Sequence, residues 1–123
     1  MIVKDLMKEP IVIDKDMTLE QASKMMSKEK ISSIIIVKAG KPAGIITHED
    51  LVDNFGKKTM VSEVMSRDLV FIKENDKAQK AVEVIKENGI SVLPVLDKKG
   101  SLVGVIHVKE LLKQMEEDEF LLD

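Results

Sequence analysis

Few side chains in this 123-residue chain combine the type and spacing that chemistry needs, and they fall at two equivalent places. The first is Gly44-Ile45-Ile46-Thr47-His48-Glu49-Asp50, where an apolar run gives way to a hydroxyl at Thr47 and a carboxylate at Asp50. Thr-x-x-Asp is a helix-start pattern, because a capping hydroxyl and an acid three residues later satisfy backbone N–H groups, and first-turn acids suit the helix dipole. The same corner can serve a ligand: free N–H groups and a hydroxyl suit phosphate, and a carboxylate suits a ribose diol. The two readings are compatible. The second place is Gly104-Val105-Ile106-His107-Val108-Lys109-Glu110, with His107 in the threonine's position and Glu110 in the aspartate's. His107 offers a hydrogen bond, a pH-dependent charge or a plain structural role.

Other chemistry is excluded. Zero cysteines remove disulfides, thiol catalysis and iron–sulfur clusters, and two histidines make no zinc set. His48 stands at the repeat position of Val108, which points to packing or an interface. Gly56-Lys57-Lys58-Thr59 fails as a phosphate-binding loop because Leu51 occupies the place of the upstream glycine. No nucleophile, base and orienter come together, so a catalytic role is not expected. Nineteen basic against 22 acidic residues, with Arg67 the one arginine and no Trp or Tyr, speak against nucleic-acid binding. The longest apolar runs, Ile34 to Val37 and Leu69 to Ile72, are too short for a membrane span, and Lys4 and Asp5 interrupt any secretory segment. A cytoplasmic protein is expected.

These corners are positioned by a duplication. Val3 and Met7 recur as Val61 and Met65, Ala22, Ile31 and Ser32 as Ala81, Ile90 and Ser91, and Gly44, Ile46 and Leu51 as Gly104, Ile106 and Leu111. Each half predicts a short strand (Ile11 to Ile13; Leu69 to Ile72). A helix follows, with apolar Leu19, Ala22 and Met26 in one half and Ala78, Ala81, Val82 and Ile85 in the other. Thr18 with Gln21, and Asp76, are the expected caps, and Gly89 the left-handed stop. Two apolar strands joined by loops at Lys38 to Pro42 and Asp97 to Ser101 come next, then a closing helix. The apolar stripes of the closing helices are Leu51, Val52 and Phe55, and Val108, Leu111, Leu112 and Met115. The fold class is α+β, two β-α-β-β-α repeats (1–56 and 57–123) packed sheet to sheet about a pseudo-twofold. Units of this size are marginal alone. Asn54 to Met60 is the expected connector, and Met1 to Met7 an N-terminal arm.

This combination resembles the cystathionine-β-synthase-type (CBS) domain family, as a stand-alone CBS pair or Bateman module. The Val-Met pairs, the Ile-Ser pairs before each second strand and the Gly-x-Ile before each last helix carry the resemblance over nearly the whole chain. It implies clefts for adenosine-containing ligands such as AMP, ADP, ATP, S-adenosylmethionine or NAD, with no obligatory cofactor. One cleft would use Thr47 near phosphate, Asp50 on the ribose and Ile46, Val70 and Ile90 around adenine, with backbone groups of the strand near Val70 reading its edge, completed by Asp68, Ser91 and Val92. The other would use His107 and Glu110 with Val12 and Ser32. The longer glutamate and bulkier histidine depart from the pattern. Ser33 and Val92 stand where some members place a base, leaving phosphate charge to Lys4, Arg67 or a dimer partner. The resemblance also implies a homodimer through Phe55, Val108, Leu112 and Met115, acting in trans on an unknown protein. The competing expectation is a dimeric adaptor without a small ligand, docking through Phe120 to Leu122.

Overall fold

A computed structural model of the chain describes residues 1–117, apart from the side chains of Met115 and Glu117. The chain forms two compact units: Pro10–Leu69, and Met1–Glu9 together with the residues from Val70 onward. The sequence repeats and the compact units are therefore cut differently, because each leading segment packs with the repeat that does not follow it.

In the Pro10–Leu69 unit the elements are β1 (Val12–Ile13), α1 (Leu19–Glu29), β2 (Ser33–Lys38), β3 (Lys41–Thr47), α2 (His48–Asp53) and α3 (Val61–Val64). The helix α1 forms where Leu19, Ala22 and Met26 fall on one buried stripe. Its start is fixed reciprocally: Thr18 Oγ1 accepts the Gln21 N–H at 3.1 Å, and Gln21 Oε1 accepts the Thr18 N–H at 3.0 Å. The helix carries the chain over to a parallel pairing of β1 with β2, after which β3 returns antiparallel, giving the order β1-β2-β3. The return is tighter than the expected loop. Lys38 pairs with Lys41, leaving Ala39 and Gly40 as the turn, and their φ values of 53° and 77° fit the hairpin turns that match strand twist. Ile13, Leu19, Ala22, Met26, Ile34, Ile46 and Val61 make the core.

The connector after α2 folds back within this unit. The Leu19 N–H donates to the Thr59 carbonyl and the Val61 N–H to the Met17 carbonyl, which seats α3, a turn that sequence periodicity did not anticipate. Met65 then lies over Gly44, where a Cβ would come 2.8 Å from its Cγ. Gly44 is thus small because a methionine covers it.

The second unit repeats this plan with β4 (Ile72–Lys73), α4 (Ala78–Asn88), β5 (Val92–Leu96), β6 (Leu102–His107) and α5 (Val108–Glu117), in the order β4-β5-β6. Met1–Glu9 plays the part of α3. Its one-turn 3-10 helix, Val3–Asp5, buries Val3 completely beside Ile72, Leu93, Ile106 and Leu111. Lys8 exchanges two backbone bonds of 2.9 Å with Val105, as Ser66 does with Ile45 at 2.9 and 3.0 Å. Met7 covers Gly104 as Met65 covers Gly44.

Three expectations need correction here. The leading strands are shorter than Ile11 to Ile13 and Leu69 to Ile72, because only two residues of each pair with the neighbouring strand. Asp76 does not cap α4: its carboxylate accepts the Lys73 N–H and pairs with Lys80, while the Met1 carbonyl takes the first helical N–H, that of Ala78, at 3.0 Å. His48 is exposed, so of the two expected roles, packing and an interface, it is packing that fails. Gly89 does end α4 in the left-handed conformation, φ 59°. Phe120 to Leu122 and the Met115 side chain lie outside the described residues.

Candidate functional site

Both β-to-α corners form at the ends of the third strands. In the Pro10–Leu69 unit, β3 runs directly into α2 at Thr47. Asp50 Oδ2 accepts the Thr47 backbone N–H at 2.8 Å and lies 3.3 Å from the Thr47 hydroxyl. Both bonds fall on one carboxylate oxygen, so Oδ1 is left to accept from a ligand hydroxyl. The carboxylate is half-buried, held in one orientation before any ligand arrives. The His48 N–H is not free for phosphate, because it donates to the Ser32 carbonyl at 3.2 Å. Ser32 therefore braces the corner through its backbone. Ser33 is buried opposite Thr47 on β2.

Ile46 is wholly inside this unit's core, which makes it a packing residue beneath the corner rather than accessible surface. Val12 is 44% exposed and Asp68 is exposed. Arg67 donates from Nη2 to the Ser62 carbonyl at 2.9 Å. Among the described residues no cation lies within ion-pair distance of Asp50.

The corner of the other unit has the same frame and different charges. The Val108 N–H donates to the Ser91 carbonyl at 2.8 Å, and Val92 faces His107 on the paired strand. His107 is 8% exposed, and burial, with the Lys8 ammonium as the lesser cause, lowers its pKa from 6.5. Glu110 meets Lys8, Nζ to Oε1 3.0 Å, and hydrogen bonding to that ammonium holds its pKa below the ordinary 4.5. Lys8 was not among the bases considered from sequence. Of those that were, Lys4 stands 4.0 Å from Glu74.

Val70, Ile90 and Val92 belong to this second unit, with Val70 and Ile90 half-buried against its core. Here the sheet has a gap. In the first unit the Ile35 N–H donates to the Ile11 carbonyl at 2.8 Å, closing the parallel ladder ahead of β1. The residue at the matching register of β5 is Pro94, which has no N–H to give. Among the described residues no donor takes the Val70 carbonyl, and an unspent strand carbonyl is a natural acceptor for an exocyclic amine. The resemblance implied backbone groups near Val70 at the adenine edge, and Pro94 in a central strand is the residue that leaves this carbonyl over.

Each unit thus carries one acid-bearing corner. Thr47, Asp50, Asp68, Val12 and Ser32 lie in one unit; Val70, Ile90, Ser91, Val92, His107 and Glu110 lie in the other. Among the described residues no group of side chains is suited to hold a metal ion, and no helix is long and apolar enough to cross a membrane.

Comparison with known proteins identifies the fold that carries these features. The CBS domain model matches twice, over residues 3–57 and 61–117. An inosine-5'-monophosphate dehydrogenase of Thermoplasma acidophilum is 34% identical over 90% of this chain and 24% of its own length. A homoserine O-acetyltransferase of Methanosarcina acetivorans is 31% identical over 85% of the chain and 20% of its own. The chain spans about a quarter or less of these relatives. Among solved structures, the CBS domain pair of protein MJ0100, in complex with 5'-methylthioadenosine and S-adenosyl-L-methionine, matches with a TM-score of 0.85 and 27% identity. That match covers 95% of this chain and 97% of that one. The cytosolic domain of the Mg2+ channel MgtE in complex with ATP matches with a TM-score of 0.71 and 25% identity, over 89% and 46%.

Proposed function

The chain belongs to the CBS-domain family, and from that premise we propose that it is a regulatory module that binds an adenosine-containing ligand. The observation that carries this reading is the half-buried Asp50 carboxylate, fixed through Oδ2 by Thr47 with Oδ1 left over. A ribose diol is the complementary group, since its hydroxyls donate to a preoriented carboxylate at little entropic cost. The unspent Val70 carbonyl supports the adenine half, as an acceptor for the exocyclic amine. The ligands of the MJ0100 domain pair support the same class. The module acts on a partner protein in trans, as a cytoplasmic homodimer, and ligand occupancy sets the geometry that the partner reads. Phe55, 90% exposed, and Val52, 73% exposed, favour such protein contacts.

Thermal-shift screening with AMP, ADP, ATP, NAD, 5'-methylthioadenosine and S-adenosylmethionine tests the reading. A ligand at about 100 times its Kd adds about 2.7 kcal/mol of stability. One of them should raise Tm in the wild type and fail to do so in Asp50→Ala. Absence of any shift, with the variant behaving as wild type, would reject ligand binding and leave a dimeric adaptor, for which the exposed Val52 and Phe55 are the supporting observation.

A further inference from the structure

The two corners are built on one frame and, beyond Thr47 against His107 and Asp50 against Glu110, differ by one cation. Lys8 and Ser66 are structural equivalents, since each exchanges a reciprocal pair of backbone bonds with the middle of a third strand, Val105 and Ile45 respectively. Lys8 reaches Glu110 at 3.0 Å, whereas the short Ser66 brings no charge to the Asp50 corner. The acid of one corner is neutralised from within the chain and the acid of the other is not.

We propose that Lys8 is a specificity-determining residue that makes the Glu110 corner select an adenosine ligand carrying a phosphate, while the Asp50 corner prefers one with an uncharged or cationic 5' group. The proposal rests on the adenosine-ligand reading given above. Its physical basis is the charge each corner presents. Asp50 stands alone and repels a phosphate brought to its side. At the Glu110 corner the ammonium and carboxylate cancel, His107 is neutral at neutral pH, and the ammonium has further N–H groups to donate. Both members of the ion pair are close to half exposed, 46% and 41%, so the pair is weak and Lys8 can turn to an arriving phosphate at little cost. Lys109 and Lys113 lie on the same helix and are exposed, so they add positive potential without being fixed in the corner.

Isothermal titration of the full chain with AMP and with 5'-methylthioadenosine tests this, because the two share the nucleoside and differ in 5' charge. Lys8→Met should weaken AMP roughly fivefold, the equivalent of one exposed charge contact, and leave 5'-methylthioadenosine within twofold. Lys8→Arg should keep the wild-type preference. Higher salt should erode the AMP preference alone. Lys8→Met changing both ligands equally, or neither, overturns the assignment while leaving the adenosine reading in place. Tighter binding of both ligands to Lys8→Met overturns it too, since Lys8 would then be a blocker. Failure of the wild type to bind either ligand overturns both the assignment and the reading beneath it.

Discussion

Truncating Val3 to alanine should weaken the half of the protein that lies farthest from it in sequence. Val3 is fully buried among Ile72, Leu93, Ile106 and Leu111. Removing its two methyl groups forfeits about 1.6 kcal/mol of transfer free energy at about 0.8 kcal/mol per group, and the residual cavity brings the loss to about 2 kcal/mol. The flanking backbone bonds, Val3 N–H to the Asp76 carbonyl and Lys4 N–H to the Glu74 carbonyl, both 2.8 Å, are loosened with it. Hydrogen exchange read by mass spectrometry under native conditions resolves where the loss falls. Protection should drop in α4, β5 and β6 and hold in α1, β2 and β3. Val61→Ala should give the mirror image, because Val61 is 1% exposed in the other core. Loss in 10–69 with Val3→Ala, or equal loss in both units, would refute the assignment of the leading segments.

Further outcomes follow from single contacts. Thr18→Ala should cost about 1 kcal/mol in urea unfolding by removing the cap on α1, whereas Asp76→Ala should not produce a capping loss at α4, whose first N–H is held by Met1. Gly44→Ala places a Cβ against Met65 and should destabilise by about 1–3 kcal/mol, with a double-mutant cycle against Met65→Ala giving a coupling of opposite sign. Pro94→Ala restores an N–H opposite Val70 and should weaken adenosine binding more than inosine binding in titration, since inosine lacks the exocyclic amine. For His107 the folded pKa lies below 6.5, so the unfolded chain takes up the proton first and stability falls as pH drops below 6.5. Replacing it with Gln should flatten the unfolding free energy below pH 6.5. Glu110 acts in a lower window, its contribution present above pH 4.5 and lost as pH falls through its depressed folded pKa.

The elements of the fold were legible because they are written locally. The stripe Leu19, Ala22 and Met26, the Thr18–Gln21 pair and the runs Ile34 to Val37 and Val92 to Leu96 each carry their own periodicity or cap. What escaped was long-range. Nothing in a repeat states which copy an arm joins, so the docking of Met1–Glu9 on the second unit is a property of packing, as is the capping of Ala78 by a backbone carbonyl that any residue could supply. At the candidate site Thr47 and Asp50 were visible as a motif three residues apart, whereas Lys8 and Glu110 are 102 residues apart. Ile46 was expected beside adenine because the resemblance implies an apolar wall there, whereas its side chain is wholly buried in the core of its own unit. Gly44 belongs to the same motif, and its smallness answers to Met65 directly above it.

The exchanged leading segments also set an order for synthesis. A ribosome completes everything the Pro10–Leu69 unit needs in one uninterrupted stretch, so that unit can fold as it emerges. The arm is made earlier and must wait for Val105, about 100 residues later, which at roughly 5–20 residues per second is about 5–20 s. Through that interval Val3, Leu6 and Met7 are apolar side chains without a core, available to chaperones or to the arm-binding strand of a neighbouring nascent chain. On a crowded polysome the same connectivity that ties the finished molecule together is an invitation to exchange arms between copies.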